Sequence, residues 1–574
     1  MPFAQTEIIA SAFESAVWEM CASLIRTAYS PNIKERADCS TALCDVHGRT
    51  LALATHGPAH LGSTLKLVPA ILERFPLETI RPGDSFFAND PYIVGVTHLN
   101  DCTVATPIFV DGRPVAFAAA VAHHSDVGGR VPGSESGDSL NLYQEGIRIP
   151  PVKLYDAGTL RKDVLELFLL NSRTPHFSEG DLYAQTAANV RGDERMQELY
   201  RRYGTEVMTT CIEEMLDATE RRMRAAIRDR LKDGVYTAVD WLDEDGIHDD
   251  PVKLAATVTV DGDSIEFDFS DCGPQLGTGK NVPYTHTMAS VYYCLKMMID
   301  PHLSINEGLY RTVKVVAPEG SIVNPRPPGG VSSRNLTSMI LVDAMINCLG
   351  QAAPDRAMAA GGPYHGIILG GHDPFRDRYF VDYENFAGGH GARCDADGAD
   401  VMQLYMTNTS NLPIEVMEIE FPVRVERYEL VADSGGAGKF RGGVGVCRDL
   451  RILADDIQLA TRSARQIFPA QGLAGGMAGS VGAFILNPGT EGECRVRSTT
   501  SEFPLNTGDL LRIITPGGGG YGTPLARAPE TVLHDVRQGK LTPAAARERY
   551  KVEITADGTA VDMAATARLR GGAR

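Results

Sequence analysis

The first third of the chain alternates between helical and strand-like hydrophobic patterns. Apolar residues recur every three or four positions over residues 6–29, which predicts an amphipathic helix. Two shorter segments, 40–46 and 50–55, flank the pair His47-Gly48 and predict a hairpin. Helical spacing returns over 64–76. The chain therefore begins with mixed helices and strands.

The remaining two thirds continue this mixture. A long helical stretch is predicted from residue 181 to residue 233, with breaks at Gly192 and Gly204. The patterns that follow predict three strands at 235–242, 252–260 and 264–270, then buried helices at 289–299 and 339–349, mainly β structure from 414 to 516, and a helix pair within 529–550.

A chain of 574 residues is too long for one compact domain, and about 150 residues per domain suggests three or four units. We therefore predict an α+β multidomain protein with mixed helices and sheets and a β-rich C-terminal third. The predicted units are an N-terminal domain at 1–180 that holds the polar cluster described next, a helical segment at 181–233, an α/β middle region at 234–410, a β-rich region at 411–525, and C-terminal helices and a tail at 526–574.

The most informative local pattern is a second hairpin. Two apolar runs, 102–110 and 114–122, flank Asp111-Gly112-Arg113, which is typical of a tight turn between antiparallel strands. Pairing the runs around this turn places Asp101 opposite Ala122 or His123. The outer ends of both strands should therefore share one small volume.

This hairpin brings together His98, Asp101 and His123, which are ligands of the kind that zinc, manganese or iron prefer. Strand alternation sends His123 and His124 to opposite faces, so one of the two joins the cluster, and the register favours His123. From the spacing alone a metal site and a polar turn with a strand cap are equally compatible.

Composition narrows the class of protein. Hydrophobic residues make up 43% of the chain and charged residues 22%, which is ordinary for a globular protein. The net charge of −18 argues against nucleic acid or an anionic membrane as partner. The eleven cysteines contain no CxxC, the N-terminus lacks a signal-peptide pattern, and no stretch approaches the ~20 apolar residues of a membrane span. We expect a cytoplasmic protein.

Glycine-rich segments suggest nucleotide binding but do not fit the required pattern. A P-loop needs Gly, four residues and then Gly-Lys-Ser/Thr, whereas Lys280 is followed by Asn281 and Lys439 by Phe440. The run Gly517–Gly520 has no helix close behind it. We interpret these segments as sharp turns in which glycine takes a positive φ, and we expect that the chain does not bind ATP by itself.

Several motifs together resemble one family, the B-type subunits of ATP-dependent hydantoinases and 5-oxoprolinases, which are related to the α subunits of acetone and acetophenone carboxylases. Two departures are Val96, where the family often has glycine, and Cys39, where it often has an aromatic residue. The resemblance spans nearly the whole chain and is carried by ERADCS (35–40), HGPAHLGS (56–63), NDPYIVGVTHLND (89–101), HHSDVGG (123–129), QEGIRIPPVK (144–153), MTNTSNLPIEVMEIEFPVRV (406–425), DSGGAGKFRGGVG (433–445) and GGGGYGTP (517–524).

The resemblance implies a metal and a partner. A divalent metal, zinc or manganese, would be held by the equivalents of His98, Asp101 and His123, with Asp38 as a further ligand. A separate A-type subunit with an actin-like ATPase fold would use ATP and magnesium to phosphorylate the carbonyl oxygen of a cyclic amide such as a hydantoin, 5-oxoproline or another lactam.

The same resemblance implies that this chain is the hydrolytic subunit. Water activated at the metal would attack the phosphorylated carbonyl carbon, and His124 or Asp126 could carry a proton to the leaving nitrogen. His60 and Arg334 are predicted to bind substrate, with a loop histidine bonded to backbone and a structural ion pair as the respective alternatives. The alternative function is the α-type subunit of an ATP-dependent ketone carboxylase, which the chain length disfavours slightly.

Overall fold

The computed structural model describes residues 3–571, which fold into helices and four β-sheets. The helices are α1 Phe3–Thr27, α2 Pro31–Lys34, α3 Leu67–Arg74, α4 Lys162–Leu170, α5 Pro175–Tyr203, α6 Thr205–Arg230, α7 Tyr284–Met298, α8 Glu307–Tyr310, α9 Arg334–Ala352, α10 Ile414–Glu420, α11 Pro529–Arg537, α12 Pro543–Tyr550 and α13 Met563–Gly571. The strands are β1 Cys39–Asp45, β2 Thr50–Thr55, β3 Ser85–Ala88, β4 Asp101–Val110, β5 Arg113–His123, β6 Val152–Asp156, β7 Thr159–Leu160, β8 Gly234–Leu242, β9 Val252–Asp261, β10 Ser264–Asp268, β11 Val313–Val316, β12 His365–Asp373, β13 Arg378–Phe386, β14 Val423–Leu430, β15 Val446–Ile452, β16 Ile457–Arg462, β17 Ala483–Leu486, β18 Cys494–Val496, β19 Thr499–Leu505 and β20 Leu510–Ile514.

The predicted hairpin forms the middle of a seven-stranded sheet of order β2-β1-β5-β4-β3-β6-β7. Strands β4 and β5 pair antiparallel, and Asp101 lies directly opposite His123. The turn residues Asp111 and Gly112 have φ of 49° and 75°, and the double positive φ is what a two-residue turn matched to the strand twist requires. A register shift between Ile108 and Phe109 moves the pairing by one residue, so that His123, one of the two predicted partners, lies opposite Asp101.

The other three sheets occupy the middle and the end of the chain. Their orders are β11-β10-β9-β8, β13-β12-β16-β19 and β14-β15-β20-β17-β18. Helices α7 and α9 share one apolar core with β9 and β10, while strands of the last two sheets share another. Apart from the β10–β11 pair, the described strand pairs are antiparallel. This confirms the predicted α+β class with its β-rich C-terminal third.

Two predictions about the helices need correction. Gly204 does end a helix, whereas Gly192 lies inside α5. The close packing of α1 favours glycine at this position, because a Cβ there would come 2.6 Å from the sulfur of Met20. Helix α1 is long and apolar enough over Ala4–Thr27 to cross a membrane, by length and composition only, which corrects the expectation that no segment approaches such a span. One face of α1, with Phe13 and Val17, packs into the core that α5 and α6 also line.

The glycine run 517–520 is also different from the turn that was predicted. None of its four residues has a positive φ. Each instead faces the backbone of another segment, so that a Cβ would lie 1.9 to 2.4 Å from a carbonyl oxygen of Ser434, His390, Gln471 or Ala437. The amide groups of the run donate to carbonyl groups in three surrounding segments, at Ala360, at Gly443 and at Met477 and Ser480. These glycines permit close backbone packing rather than a sharp turn.

Candidate active site

The β4–β5 hairpin places three predicted residues within contact distance at one end of the first sheet. Asp101 begins β4, His123 ends β5, and His98 lies in the turn that enters β4. The Nε2 atom of His98 is 3.2 Å from Oδ1 of Asp101, and the rings of His98 and His123 lie 4.9 Å apart. All three side chains are buried.

Glu135, which the sequence analysis missed, completes this cluster. Its Oε1 atom lies 3.1 Å from Nδ1 of His98 and 3.4 Å from Nε2 of His123. The first of these contacts is not aligned as a hydrogen bond, so Nδ1 of His98 is buried without a hydrogen-bond partner. One ligand atom from each of His98, His123 and Glu135 lies within 4.8 Å of the others.

Two buried arginines contact Glu135. Nη1 of Arg334 is 3.1 Å from Oε1 of Glu135, and Arg462 contacts Oε2 directly. The hydroxyl of Tyr383 donates to both carboxylate oxygens, at 3.3 and 3.2 Å, and its ring lies 4.7 Å from that of His123. Charged side chains are rarely buried without partners, and Glu135 has three. These charge-assisted contacts fix the position of its carboxylate.

Further polar contacts orient the other members of the cluster. The hydroxyl of Thr97 donates to Asp101, and Nδ2 of Asn32 lies 3.1 Å from Nδ1 of His123. His60 contacts Asp101 through Nε2 at 3.5 Å and the Ser40 hydroxyl through Nδ1 at 2.8 Å. The predicted residue His60 is therefore part of the same buried network.

Comparison with known proteins identifies the family of this chain. The Hydantoinase B/oxoprolinase family matches residues 3–524. The chain belongs to this family. The beta subunit of a caprolactamase from Pseudomonas jessenii is 34% identical over 97% of both chains, and the B-type subunit of a putative D-/L-hydantoinase from a Pseudomonas species is 32% identical over 98% of this chain and 97% of that one.

Solved structures show the same fold. The crystal structure of ATP-dependent caprolactamase from Pseudomonas jessenii superimposes with a TM-score of 0.91, at 31% identity over 100% of both chains. A nucleotide-free structure of acetone carboxylase also gives a TM-score of 0.91, at 21% identity, over 99% of this chain and 82% of that one. The second likeness concerns the fold alone.

The protonation states of this hydantoinase B/oxoprolinase site follow from burial. Burial lowers the pKa of His98 well below its usual range and the pKa of His123 to about 4, so both imidazoles are neutral at pH 7. Burial opposes charge on His60 and Asp101 as well. Their mutual attraction outweighs it, because the pKa of His60 is raised while that of Asp101 is held well below its usual range by His98 and His60.

The donor set fits a divalent metal ion. Two neutral imidazoles and a carboxylate match the ligands of zinc, manganese and iron sites. The Nδ1 atom of His98 is buried without a hydrogen-bond partner, so it is available as a ligand atom. The amide of Asn32 behind His123 is the kind of contact that orients a ligating imidazole.

The remaining predicted residues lie around or away from this cluster. Arg334 contacts Glu135 and donates from Nε to the hydroxyl of Thr97 at 2.9 Å, so it is held by an ion pair. The carbonyl oxygen of Asp38 accepts from the amide of His123 at 3.0 Å, and the side-chain charge of Asp38 raises the pKa of that imidazole against the larger effect of burial.

The two predicted proton donors have other partners. Nε2 of His124 is 3.0 Å from the amide oxygen of Gln185, and its ring packs on Phe168. Asp126 accepts from the guanidinium and the main-chain amide of Arg173, at 3.0 and 2.9 Å. Their catalytic roles stay predictions, as do the four predicted metal ligands.

Glu135 could not be selected from the sequence. It lies in the irregular loop between β5 and β6, with no hydrophobic periodicity around it, and its partners Arg334 and Arg462 are about 200 and 330 positions further along the chain. Only the acidic residue type could have suggested a ligand.

Proposed function

We propose that this chain is the ring-opening subunit of an ATP-dependent cyclic-amide hydrolase. The observation that carries the proposal is the buried cluster of His98, Asp101, His123 and Glu135, in a chain whose relatives are named as subunits of a caprolactamase and a hydantoinase. The substrate would be a lactam such as a hydantoin, 5-oxoproline or caprolactam.

Activation is needed because an unstrained lactam resists hydrolysis. Resonance stabilises its carbonyl group, and the amide nitrogen is a poor leaving group. We infer that an A-type partner subunit with an actin-like ATPase fold phosphorylates the carbonyl oxygen, using ATP and magnesium. A second chain is supported by the names of the two relatives, each of which is one subunit of a larger enzyme.

We infer that His98, Asp101 and His123 hold a divalent metal, zinc or manganese, with Glu135 or Asp38 as a further carboxylate ligand. Such a metal supplies Lewis acidity and lowers the pKa of water to about 7. The chain contributes neutral imidazoles, an Asp101 carboxylate held by Thr97, and a pocket closed to bulk water, because the cluster is buried. Arg334, next to Glu135, is close enough to this cluster to bind an anionic substrate group there.

Within the described residues no two of the eleven cysteines form a disulfide, which fits the reducing cytoplasm that we propose as the location.

The test is to purify the chain together with its partner ATPase and to measure ATP-dependent ring opening of hydantoin, 5-oxoproline and caprolactam. We expect ring opening without added bicarbonate, about one zinc or manganese per chain, and loss of both the metal and the activity in His98→Ala. His47→Ala, in an exposed turn, is the matched control and should keep both.

Two results would contradict the proposal. Metal content and ring opening that persist in His98→Ala would exclude the metal role of the cluster. A strict requirement for bicarbonate, with a ketone as the substrate consumed, would assign the chain to the ketone carboxylases instead.

A further inference from the structure

Arg36 is a buried cation without a partner. It lies between α2 and β1 and is 1% exposed, and none of its three guanidinium nitrogens has a hydrogen-bond partner. Among the described residues no carboxylate oxygen lies within 4.0 Å of it. By contrast, the equally buried Arg465 is paired with Asp240 and Asp343 at 2.6 and 2.8 Å.

Such an arrangement is costly unless something else binds the guanidinium. Burying a charge away from water is unfavourable, even after relaxation, unless a counter-charge and hydrogen bonds replace the water. Since arginine cannot lose its proton under ordinary conditions, the charge of Arg36 remains. The five N–H groups of the fork match the oxygens of a phosphate or a carboxylate.

Arg36 adjoins the candidate active site through Tyr383. Its guanidinium carbon lies 4.7 Å from the centre of the Tyr383 ring, and that ring contacts His123 at 4.7 Å. The guanidinium of Arg462 lies 4.3 Å from the same ring centre. Two cations thus share one aromatic ring beside the cluster, an arrangement that an anion between or beside them would stabilise.

A carboxylate that could compete is Asp382, whose two oxygens also lack hydrogen-bond partners. Burial raises the pKa of Asp382 well above its usual range, which disfavours its charged form, and the charges of Arg36 and Arg448 oppose this effect. Asp382 precedes Tyr383 on β13, and strand alternation directs the two side chains to opposite faces. Phe380 and Phe386, which share the face of Asp382, belong to the C-terminal core. The Asp382 carboxylate therefore does not occupy the face on which Tyr383 meets His123.

We propose that Arg36 binds the phosphoryl group of the activated amide when it occupies this site. The inference rests on the proposed function, because that function brings a phosphorylated carbonyl to the cluster. Arg334 and Arg462 already share donors with Glu135, so either could offer an anion only its remaining donors, whereas the guanidinium of Arg36 has all its donors available. Arg36 would hold the phosphoryl oxygens while the carbonyl carbon faces the histidines.

The first experiment measures binding of inorganic phosphate to the full chain by equilibrium dialysis. We expect Arg36→Gln to weaken phosphate binding roughly tenfold or more, as loss of charge-assisted hydrogen bonds does, and Arg36→Lys to weaken it less. Arg448→Gln is the control, since Arg448 is equally buried and packs on Phe386 and Tyr428 rather than on Tyr383. Circular dichroism verifies that each variant is folded. Equal phosphate binding by wild type and a folded Arg36→Lys or Arg36→Gln would overturn the proposal.

The second experiment uses the complex with the ATPase subunit and two substrates, 5-oxoproline, which carries a carboxylate, and caprolactam, which does not. We expect Arg36→Gln to raise the ATP consumed per ring opened for whichever substrates the wild type accepts. A defect confined to 5-oxoproline would mean that Arg36 binds the substrate carboxylate, and the phosphoryl assignment would be wrong. If the wild-type complex shows no lactam-dependent ATP hydrolysis, the proposed function fails, and the dialysis still decides whether Arg36 binds an oxyanion.

Discussion

Glu135→Gln removes one negative charge from the centre of the candidate active site while it keeps the shape of the side chain. The Glu135 carboxylate contacts the guanidinium groups of Arg334, at 3.1 Å, and of Arg462. Both arginines are buried, so water cannot replace the lost charge. We therefore expect the variant to unfold more easily.

The size of the effect follows from these contacts. Removing one partner of a buried ion pair costs about 3–5 kcal/mol, because the remaining charge is left uncompensated. Two hydrogen bonds to charged groups, at roughly 1.5–3 kcal/mol each, give a similar range. We expect the free energy of unfolding to fall by about 3–5 kcal/mol, which is roughly a 140- to 3,700-fold change in the folding equilibrium at 1.4 kcal/mol per factor of ten.

Urea denaturation of chelator-treated protein measures this change without a contribution from bound metal. Glu502→Gln is the matched control, because Glu502 pairs with Arg130 at 3.0 Å but is about half exposed, and we expect a loss below about 1 kcal/mol. A Glu135→Gln variant within about 0.5 kcal/mol of the wild type would refute the reasoning that the two guanidinium groups depend on this carboxylate.

Three further predictions concern packing, pH and metal affinity. Gly62→Ala should not yield folded protein in a solubility and circular-dichroism assay, because its Cβ would lie 1.9 Å from the carbonyl oxygen of Thr285; a normal yield would contradict the close contact. Burial raises the pKa of Glu145 to about 8, so the native state binds a proton that the unfolded state releases near pH 4.5, and this group makes the urea midpoint fall as the pH rises from 4.5 to 8. Glu145→Gln should remove that part of the fall, and an unchanged pH profile would count against the raised pKa. Asn32→Leu should weaken metal binding roughly 10- to 100-fold in a chelator competition assay, since it removes the contact that orients His123; unchanged affinity would mean that the amide plays no such part.

Local signals predicted the hairpin because Asp111-Gly112 is typical of a tight turn, and they left Ala122 or His123 as the residue opposite Asp101. The register shift between Ile108 and Phe109, which no local pattern indicates, moves the pairing by one residue and places His123 there. The rest of the site depends on tertiary packing: Glu135 comes from an irregular loop, and Tyr383 and Arg462 come from a sheet formed far along the chain. No periodic pattern relates those positions to the hairpin.

The glycine run shows a different limit of sequence reasoning. Glycine is required both where φ is positive and where two backbones approach closely, and the residue type does not distinguish the two causes. The interpretation as a turn was wrong, because the packing partners of Gly517–Gly520 lie 40 to 160 positions earlier in the chain.

The packing partners of Gly517–Gly520 are also translated before the run itself, because they lie earlier in the sequence. The segments around residues 360, 390, 440 and 475 leave the ribosome before the run at 517–520 that makes hydrogen bonds with them. Until that run emerges, these earlier backbones lack the partner of some of their amide and carbonyl groups, and contacts of such long sequence separation form slowly. A nascent chain stalled before residue 517 should therefore remain sensitive to protease in its middle region, even though the first seven-stranded sheet has already been synthesised in full.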